Sequence, residues 1–213
     1  MGKKHTLLLK LEGPMQSWGY RSRFDHRDTA LEPTRSGVIG LICAAMGIAR
    51  GEDLSRFSSL RMGVRVDKDG RIERDYHTAE EVIKAAEKAH RSAPDTVVSN
   101  RDYLADASFT VGLESEDLPL LEDIADALRN PTWFLFLGRK SFPLTCPPLM
   151  KENPIMPEAL EDILLVGRSG KRVLLEAPDG ERVQEDWPIC FGTRLFSTRI
   201  IKTTYIDGGG GEP

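Results

Sequence analysis

Apolar and polar side chains alternate along three stretches in the first 113 residues of the chain. Leu7, Leu9 and Leu11 mark the first stretch, and the same period of two recurs over residues 60–66 and 104–113. Successive side chains of a β-strand point to opposite faces of a sheet, so this period is typical of a strand with one buried face. We therefore expect three strands at these positions.

Two further stretches have the spacing of amphipathic helices. Apolar residues between Val38 and Ile48 recur every three or four positions, and either Thr34 or Ser36 is available as the N-cap. A second stretch with this spacing follows Asp117, another good N-cap residue, and ends before a proline. The sequence therefore predicts one helix after the first strand and another after the third.

A dense apolar run, Thr132–Leu137, completes the pattern. It is bounded by Pro131 and Gly138 and is short enough for a buried strand. The predicted order is then strand, helix, strand, strand, helix, strand. This order is typical of the ferredoxin-like α+β fold, which RNA-recognition motifs share, and we expect such a domain over residues 1–145.

A long insertion separates the second and third predicted strands. It spans residues 68–102, far more than a hairpin needs, and its middle part, residues 80–90, is rich in Ala, Glu and Lys. We expect that middle part to be helical. Long insertions in compact domains tend to carry function.

The last third of the chain differs in composition from the expected domain. Residues 146–207 contain several prolines, a turn sequence at 178–180 that predicts a hairpin, and a strand-like stretch near Ile200. We expect a small β-rich appendage there. The glycine-rich tail, residues 208–213, has few side chains to pack and is expected to be disordered.

The composition excludes several classes of protein. With 40% hydrophobic residues among 213, the chain can bury a core, so intrinsic disorder is not expected. The three cysteines lie far apart and the four histidines lack ligand spacing, so we expect neither a disulfide framework nor a metal or cofactor site. No apolar stretch is long enough for a membrane span. These features are typical of a cytoplasmic protein without a membrane role.

Charge is distributed unevenly, although the net charge is only −4. The first 50 residues carry 8 basic and 4 acidic residues, a net charge of +4, which leaves −8 for the remaining 163. The loop before the first helix mixes basic and aromatic residues. They are Trp18, Tyr20, Arg21, Arg23, Phe24, Arg27 and Arg35. This mixture suits single-stranded nucleic acid, whose phosphates need cations and whose bases stack; the alternative is an ordinary charged loop.

Two short motifs are candidates for holding phosphates. The segment from Arg35 to Gly37 opens the first predicted helix, where unpaired backbone amides favour an anion. The segment from Gly138 to Lys140 follows the predicted fourth strand and places two cations beside a flexible glycine. Neither is a P-loop, and no dinucleotide-binding glycine motif occurs, so nucleotide hydrolysis is not expected.

A catalytic interpretation also has to be weighed. Tyr76, His77 and Lys140 supply an acid, a base and a charge stabiliser, the groups that metal-independent RNA cleavage needs. The alternative is that Tyr76 and His77 anchor the base of the insertion and transfer no proton.

Five motifs, in order along the chain, match a known family. They are GPMQSWG at 13–19, PTRSGVIGL at 33–41, RDYHT at 74–78, YLADASFTV at 103–111 and LGRKSFPLT at 137–145. Through these motifs the chain resembles the CasD family, subunits of the type I-E CRISPR surveillance complex Cascade in the RAMP superfamily. The matches span most of residues 5–145.

The resemblance implies a noncatalytic subunit that holds the 5′ handle of the CRISPR RNA and caps the backbone of the complex. Its partners would be the backbone subunit CasC and the large subunit CasA, and it would meet target DNA only through the assembled complex. The family fold is ferredoxin-like, with a thumb where residues 68–102 lie here. Relatives in type I-C systems cleave repeat RNA, so a metal-independent endoribonuclease is the enzyme alternative. A structural adaptor with little RNA affinity is a third possibility.

The resemblance also implies a set of RNA-binding residues. Carried over motif by motif, the set is Gln16, Ser17, Trp18, Arg35, Ser36, Gly37, Arg74, Tyr76, His77, Arg101, Tyr103, Arg139 and Lys140. Arg101 would lie where the thumb returns to the domain and would stack or pair near the kink in the RNA. No catalytic residue and no metal ligand is implied.

Overall fold

The computed structural model describes residues 2–19, 25–82, 95–150, 153–167 and 169–206, without the side chains of Val82 and Asp95. The elements are β1 (His5–Glu12), β2 (Met15–Gln16), β3 (His26–Arg27), α1 (Arg35–Met46), a 3-10 turn (Ser55–Phe57), β4 (Arg61–Lys68), β5 (Arg71–Val82), β6 (Asp95–Ala105), β7 (Ser108–Ser115), α2 (Leu118–Arg129), β8 (Ile155–Met156), α3 (Leu160–Leu164), β9 (Arg172–Glu176), β10 (Arg182–Cys190) and β11 (Leu195–Tyr205).

A seven-stranded antiparallel sheet forms the centre of the molecule. Its order is β10-β11-β9-β4-β7-β1-β8. β7 lies between β1 and β4, with Val111 opposite Leu9 on one side and Val64 on the other. The strands predicted at 7–11 and 60–66 are confirmed as β1 and β4. This mixed α+β architecture, with mostly antiparallel strands, agrees with the expected fold class.

The third predicted strand is divided between two sheets. The alternating pattern over 104–113 continues through Asp106, but the backbone there is left-handed, with φ of 58°. β6 ends at Ala105 in a second sheet, and β7 begins at Ser108 in the large sheet. A single left-handed residue redirects the chain without changing the pattern of side chains, so periodicity alone could not reveal the break.

Both predicted helices are confirmed, and their caps explain their limits. The hydroxyl of Thr34 accepts a hydrogen bond from the N–H of Gly37 at 3.2 Å, so α1 begins at Arg35. Gly47 ends α1 in the left-handed conformation, with φ of 73°. The carboxylate of Asp117 caps α2 in the same way as the Thr34 hydroxyl caps α1.

The main core lies between these helices and one face of the large sheet. It includes Leu7, Leu9 and Leu11 of β1, Val64 and Val66 of β4, Val111 and Leu113 of β7, Val38 and Ile42 of α1, and Leu121 and Ile124 of α2. The short helix α3 covers the opposite face, where Leu160 and Leu164 lie over Gly63. The sheet is therefore covered on both sides along its centre.

The fourth predicted strand is wrong. Residues 132–137 form an irregular segment in which the Phe134 side chain is 95% exposed. The N–H groups of Thr132 and Trp133 donate to the carbonyls of Ala45 and Ala44 at the end of α1, so this segment finds its backbone partners on a helix. β8 takes the position beside β1, with Ile155 opposite Leu7.

A second, smaller sheet carries most of the insertion. β6 pairs with β2, β3 and β5, and its pairing with β5 is antiparallel over ten register pairs, from Arg71 opposite Ala105 to Val82 opposite Asp95. The helix expected over residues 80–90 is wrong at its start, because residues 80–82 belong to β5. Residues 83–90 lie outside the described part of the chain.

The C-terminal region contributes β9, β10 and β11, and their pairing differs from the predicted hairpin. The predicted hairpin at 178–180 is wrong, because β9 and β10 both pair with β11 and not with each other. β9 also pairs with β4, so these strands extend the large sheet. The domain boundary at residue 145 stays a prediction, and the tail at 208–213 lies outside the described residues.

Candidate nucleic-acid interface

The antiparallel pair β5 and β6, here called the β5/β6 ribbon, has two distinct faces. Asp75 is opposite Arg101, and Arg74 is opposite Asp102. Residues opposite each other in an antiparallel pair project to the same side, whereas neighbours along a strand project to opposite sides. We call the side that bears Arg101 the arginine face and the side that bears Asp102 the aspartate face.

The predicted site residues on this ribbon divide between the two faces. Arg101, Tyr103 and His77 lie on the arginine face, whereas Arg74 and Tyr76 lie on the aspartate face. Strand geometry therefore separates the adjacent Tyr76 and His77, the two members of the candidate catalytic set that lie on β5. His77 instead lies beside Asp75, with Nδ1 3.5 Å from a carboxylate oxygen.

Three guanidinium groups gather at the arginine face. β3 runs parallel to β6 and places Arg27 opposite Arg101. Arg139 reaches the ribbon from a loop, and its Nη2 donates to the backbone carbonyl of Asp102 at 2.7 Å. Arg101 donates from Nε to the neutral hydroxyl of Ser99 at 2.9 Å. We call Arg27, Arg101 and Arg139 the arginine cluster.

The cations of this cluster repel one another. Burial lowers the pKa of Arg139 most, and repulsion from Arg101 and, less strongly, Arg27 lowers that pKa further. The carboxylates of Asp75 and Asp102 act in the opposite direction. Arginine keeps its charge at neutral pH despite such shifts, so the cluster holds an excess of positive charge that a bound phosphate would offset.

Two aromatic rings lie next to Arg139 of the cluster. The guanidinium carbon of Arg139 lies 5.3 Å from the ring centre of Phe142. That ring in turn lies 5.8 Å from the ring of Tyr103, which is half-buried. Sequence reasoning did not select Phe142, although its position three residues after Arg139 in the LGRKSFPLT motif was visible. The contact holds Arg139 in place by a cation–π interaction.

The loop that carries Arg139 is held against the backbone of Ser17. The N–H of Ser17 donates to the carbonyl of Leu137 at 3.0 Å. Gly138 has φ of 88°, and a Cβ at this position would lie 1.7 Å from the carbonyl oxygen of Ser17. Only glycine fits both the conformation and the close approach. The next two residues are Arg139, which is half-buried, and Lys140, which is exposed.

The aspartate face is electrically different, because its Arg74 is paired with a carboxylate. The Asp102 carboxylate accepts from Nε of Arg74 at 2.7 Å, and its other oxygen lies 3.1 Å from Nε2 of His26. The hydrogen bond from Arg74 lowers the pKa of Asp102 against the opposing effect of burial. Tyr76 is 69% exposed on this face and contributes an apolar ring.

The first predicted RNA motif contributes backbone and core, which corrects the expectation for its side chains. Gln16 is fully buried; its Nε2 donates to the carbonyl of Ala107 at 2.8 Å, and its Oε1 accepts from the Trp18 indole at 3.2 Å. Trp18 is only 1% exposed, and Ser17 is also buried. Such side chains have no surface to offer an RNA. They fix β2 and the Ser17 backbone, which support the Arg139 loop.

Arg35 also proves to be a core residue, so its predicted phosphate contact is corrected. The side chain is 1% exposed, and its Nη1 donates to both carboxylate oxygens of Glu176 at 2.9 Å. Arg199 donates to the same Glu176 and to Asp186, and the Arg35 guanidinium lies 3.8 Å from the ring centre of Trp187. Burial lowers the pKa of Arg35, an effect that Glu176 opposes.

The N-terminus of α1 is already occupied. The Asp186 carboxylate accepts the backbone N–H of Arg35 at 2.8 Å, where the sequence predicted an RNA phosphate. Ser36 and Gly37 are half-buried, and a Cβ on Gly37 would lie 2.7 Å from the Trp18 ring. A protein carboxylate thus takes the role predicted for the ligand.

Sequence reasoning partly anticipated the arginine cluster. The family resemblance selected Arg139 within a motif and Arg101 shortly before the motif that begins at Tyr103, whereas Arg27 was recognised only as one charge of the basic loop. The remaining residues of that loop, Tyr20, Arg21, Arg23 and Phe24, lie outside the described chain. Among the residues that are described, no group of three His, Cys, Asp or Glu side chains could hold a metal ion, and no helix could cross a membrane.

Comparison with known proteins agrees with this architecture. Residues 6–205 match the model of the family described as CRISPR-associated protein (Cas_Cas5). The chain is 36% identical over 156 residues to the CRISPR system Cascade subunit CasD of Escherichia coli strain K12, covering 66% of this chain and 68% of the relative.

Two solved structures resemble nearly the whole chain. One, described as a crystal structure of a Cas protein, is 38% identical, with a TM-score of 0.75 and coverage of 95% of both chains. The other, from a CRISPR RNA-guided surveillance complex, is 31% identical, with a TM-score of 0.78 and coverage of 97% of this chain and 95% of that one. The family match spans nearly the entire described chain, and the chain therefore belongs to the Cas5 family of CRISPR-associated proteins.

Proposed function

We propose that this protein is a noncatalytic RNA-binding subunit of a type I-E CRISPR surveillance complex and holds the 5′ handle of the CRISPR RNA. The arginine cluster carries this proposal. Three guanidinium groups that repel one another, on an accessible face beside half-buried Tyr103, form a site for a single-stranded polyanion. Family membership supports RNA as this polyanion, because the relatives include a Cascade subunit and a chain of an RNA-guided complex.

In this mechanism no bond is broken. Arg27, Arg101 and Arg139 hold phosphates of the handle, and exposed Lys140 adds a further cation at the edge of the site. Tyr103 offers a partly accessible ring for stacking, which contributes about 1–3 kcal/mol per base in single-strand binding. His77 contributes a hydrogen-bonding group on the same face.

The proposed architecture is ferredoxin-like with a thumb-like insertion. The strand order β8-β1-β7-β4, with α1 after β1 and α2 after β7, supports the first part of this proposal. β8 would then serve as the fourth strand in place of residues 132–137. The β5/β6 ribbon would serve as the base of the thumb.

The proposed protein partners are CasC and CasA, with target DNA reached only through the assembled complex. The exposed aromatic residues Trp133 and Phe134 support a protein contact, because such side chains are enriched in interfaces. The backbone N–H of Trp133 donates to the carbonyl of Ala44, so this segment is held on the end of α1.

The noncatalytic role is supported by the separation of Tyr76 and His77 on opposite faces of the ribbon. We expect the purified protein, incubated without metal with a labelled single-stranded CRISPR repeat RNA, to bind it more tightly than a scrambled strand and to leave it intact. A single cut that His77→Ala abolishes would instead identify the endoribonuclease alternative. Equal, weak binding of both strands would support the adaptor alternative.

A further inference from the structure

Asp102 contacts β3, β5 and the loop that carries Arg139. Its carboxylate accepts hydrogen bonds from Nε and Nη2 of Arg74 on β5, at 2.7 and 3.4 Å. The same carboxylate lies 3.1 Å from Nε2 of His26 on β3. Its backbone carbonyl receives Nη2 of Arg139 at 2.7 Å. One residue of β6 thus links β3, β5 and the loop of Arg139.

The two halves of Asp102 act on opposite faces. Its side chain lies on the aspartate face and neutralises Arg74, a cation that is otherwise 58% exposed. Its backbone carbonyl accepts a hydrogen bond from Arg139 and holds that side chain in the arginine cluster. Because a carbonyl is neutral, the positive charge of Arg139 is not neutralised. Consequently the arginine face keeps its excess positive charge, whereas the aspartate face loses the charge of Arg74.

We infer that Asp102 is a positioning residue that determines RNA selectivity, because its carboxylate withholds Arg74 from the RNA and confines the binding charge to the arginine face. This inference rests on the proposed function. When the excess positive charge lies on one face only, an RNA strand gains affinity only where it contacts the arginine cluster. An unpaired Arg74 would add attraction for any single strand on the opposite face.

The test compares Asp102→Asn, which removes the charge and keeps the size, with wild type and with Asp102→Glu. Binding of the repeat RNA and of a scrambled strand is measured from low to moderate salt. Releasing one cation to a phosphate steepens the slope of log affinity against log salt by about 0.7. For two lines that meet at 1 M salt, this change corresponds to about 5-fold tighter scrambled-strand binding at 0.1 M salt. The selectivity for the repeat RNA should fall accordingly, and Asp102→Glu should retain it.

A double variant identifies the released cation. Adding Arg74→Ala to Asp102→Asn should return the salt slope to the wild-type value. A merely structural role would weaken repeat binding without steepening the slope. An unchanged slope and selectivity in Asp102→Asn, or a steeper slope that persists in the double variant, would overturn the inference.

If thermal unfolding shows that Asp102→Asn does not fold, two single variants test the inference in its place. Arg74→Ala in the wild-type background should leave the slope unchanged, whereas Arg139→Ala should lower it by about 0.7. Equal decreases would show that Arg74 already binds RNA and would overturn the inference. Absence of RNA binding by wild type would overturn the proposed function as well, so the two failures are distinguishable.

Discussion

Replacing Arg35 by alanine is expected to lower the free energy of unfolding by about 3–5 kcal/mol, the typical cost of removing one partner from a buried ion pair. The guanidinium donates to Glu176 and to the backbone carbonyl of Phe57. Without it, Arg199 is the one described cation that still donates to the buried carboxylates of Glu176 and Asp186. Urea unfolding followed by tryptophan fluorescence measures the change.

An exposed arginine provides the matched control. Arg56 forms an ion pair with Asp123 in which both side chains are largely exposed. Because such surface pairs contribute about 0–1 kcal/mol, Arg56→Ala should leave stability nearly unchanged. If Arg35→Ala were as stable as wild type yet bound RNA more weakly, the buried ionic role would be wrong and a direct RNA contact would be indicated.

Gly138→Ala is expected to have the second large effect, on both stability and RNA binding. A left-handed alanine alone costs about 1–2 kcal/mol. The new Cβ would also lie 1.7 Å from the Ser17 carbonyl oxygen, a contact that only a backbone shift can relieve. That shift displaces Arg139, the next residue, from the arginine cluster. We therefore expect a loss of stability beyond the conformational cost, together with weaker and less salt-dependent RNA binding.

Two other glycines separate conformational strain from collision. Gly170 has a similar φ of 78° but nothing within 4 Å of an added Cβ, so Gly170→Ala reports the strain alone. Gly51 has neither a positive φ nor a close neighbour, and Gly51→Ala should be nearly neutral. An effect of Gly138→Ala no larger than that of Gly170→Ala would show that the Ser17 contact does not hold the loop.

The parts of the fold predicted correctly are those that depend on local pattern. β1, β4 and both long helices follow from apolar spacing and from caps at Thr34 and Asp117. The run at 132–137 was misassigned because a short apolar segment has no period that distinguishes a strand from an irregular segment. Its backbone partners on α1 are far away in sequence.

The candidate site was predicted less completely, for a related reason. The family resemblance identified Arg101 and Arg139, but the same reasoning selected Trp18 and Arg35, which the fold buries. Burial of Arg35 depends on Glu176, 141 residues away, and no local pattern reports such a partner. A strand through the RDYHT motif places neighbouring residues on opposite faces. Which of these faces bears the arginine cluster depends on the register of β5 with β6, which no local pattern reports.

The salt dependence of repeat-RNA binding tests the central claim most directly. The double variant Arg101→Ala/Arg139→Ala removes two cations of the arginine cluster, and Arg56→Ala/Arg182→Ala removes two from elsewhere on the surface. Wild type and the control pair should share one slope, whereas the cluster variant should lose about 1.4, or 0.7 for each phosphate contact. All three proteins should unfold at similar temperatures. Identical slopes for the cluster variant and the control would contradict the assignment of the arginine cluster as the RNA-binding site.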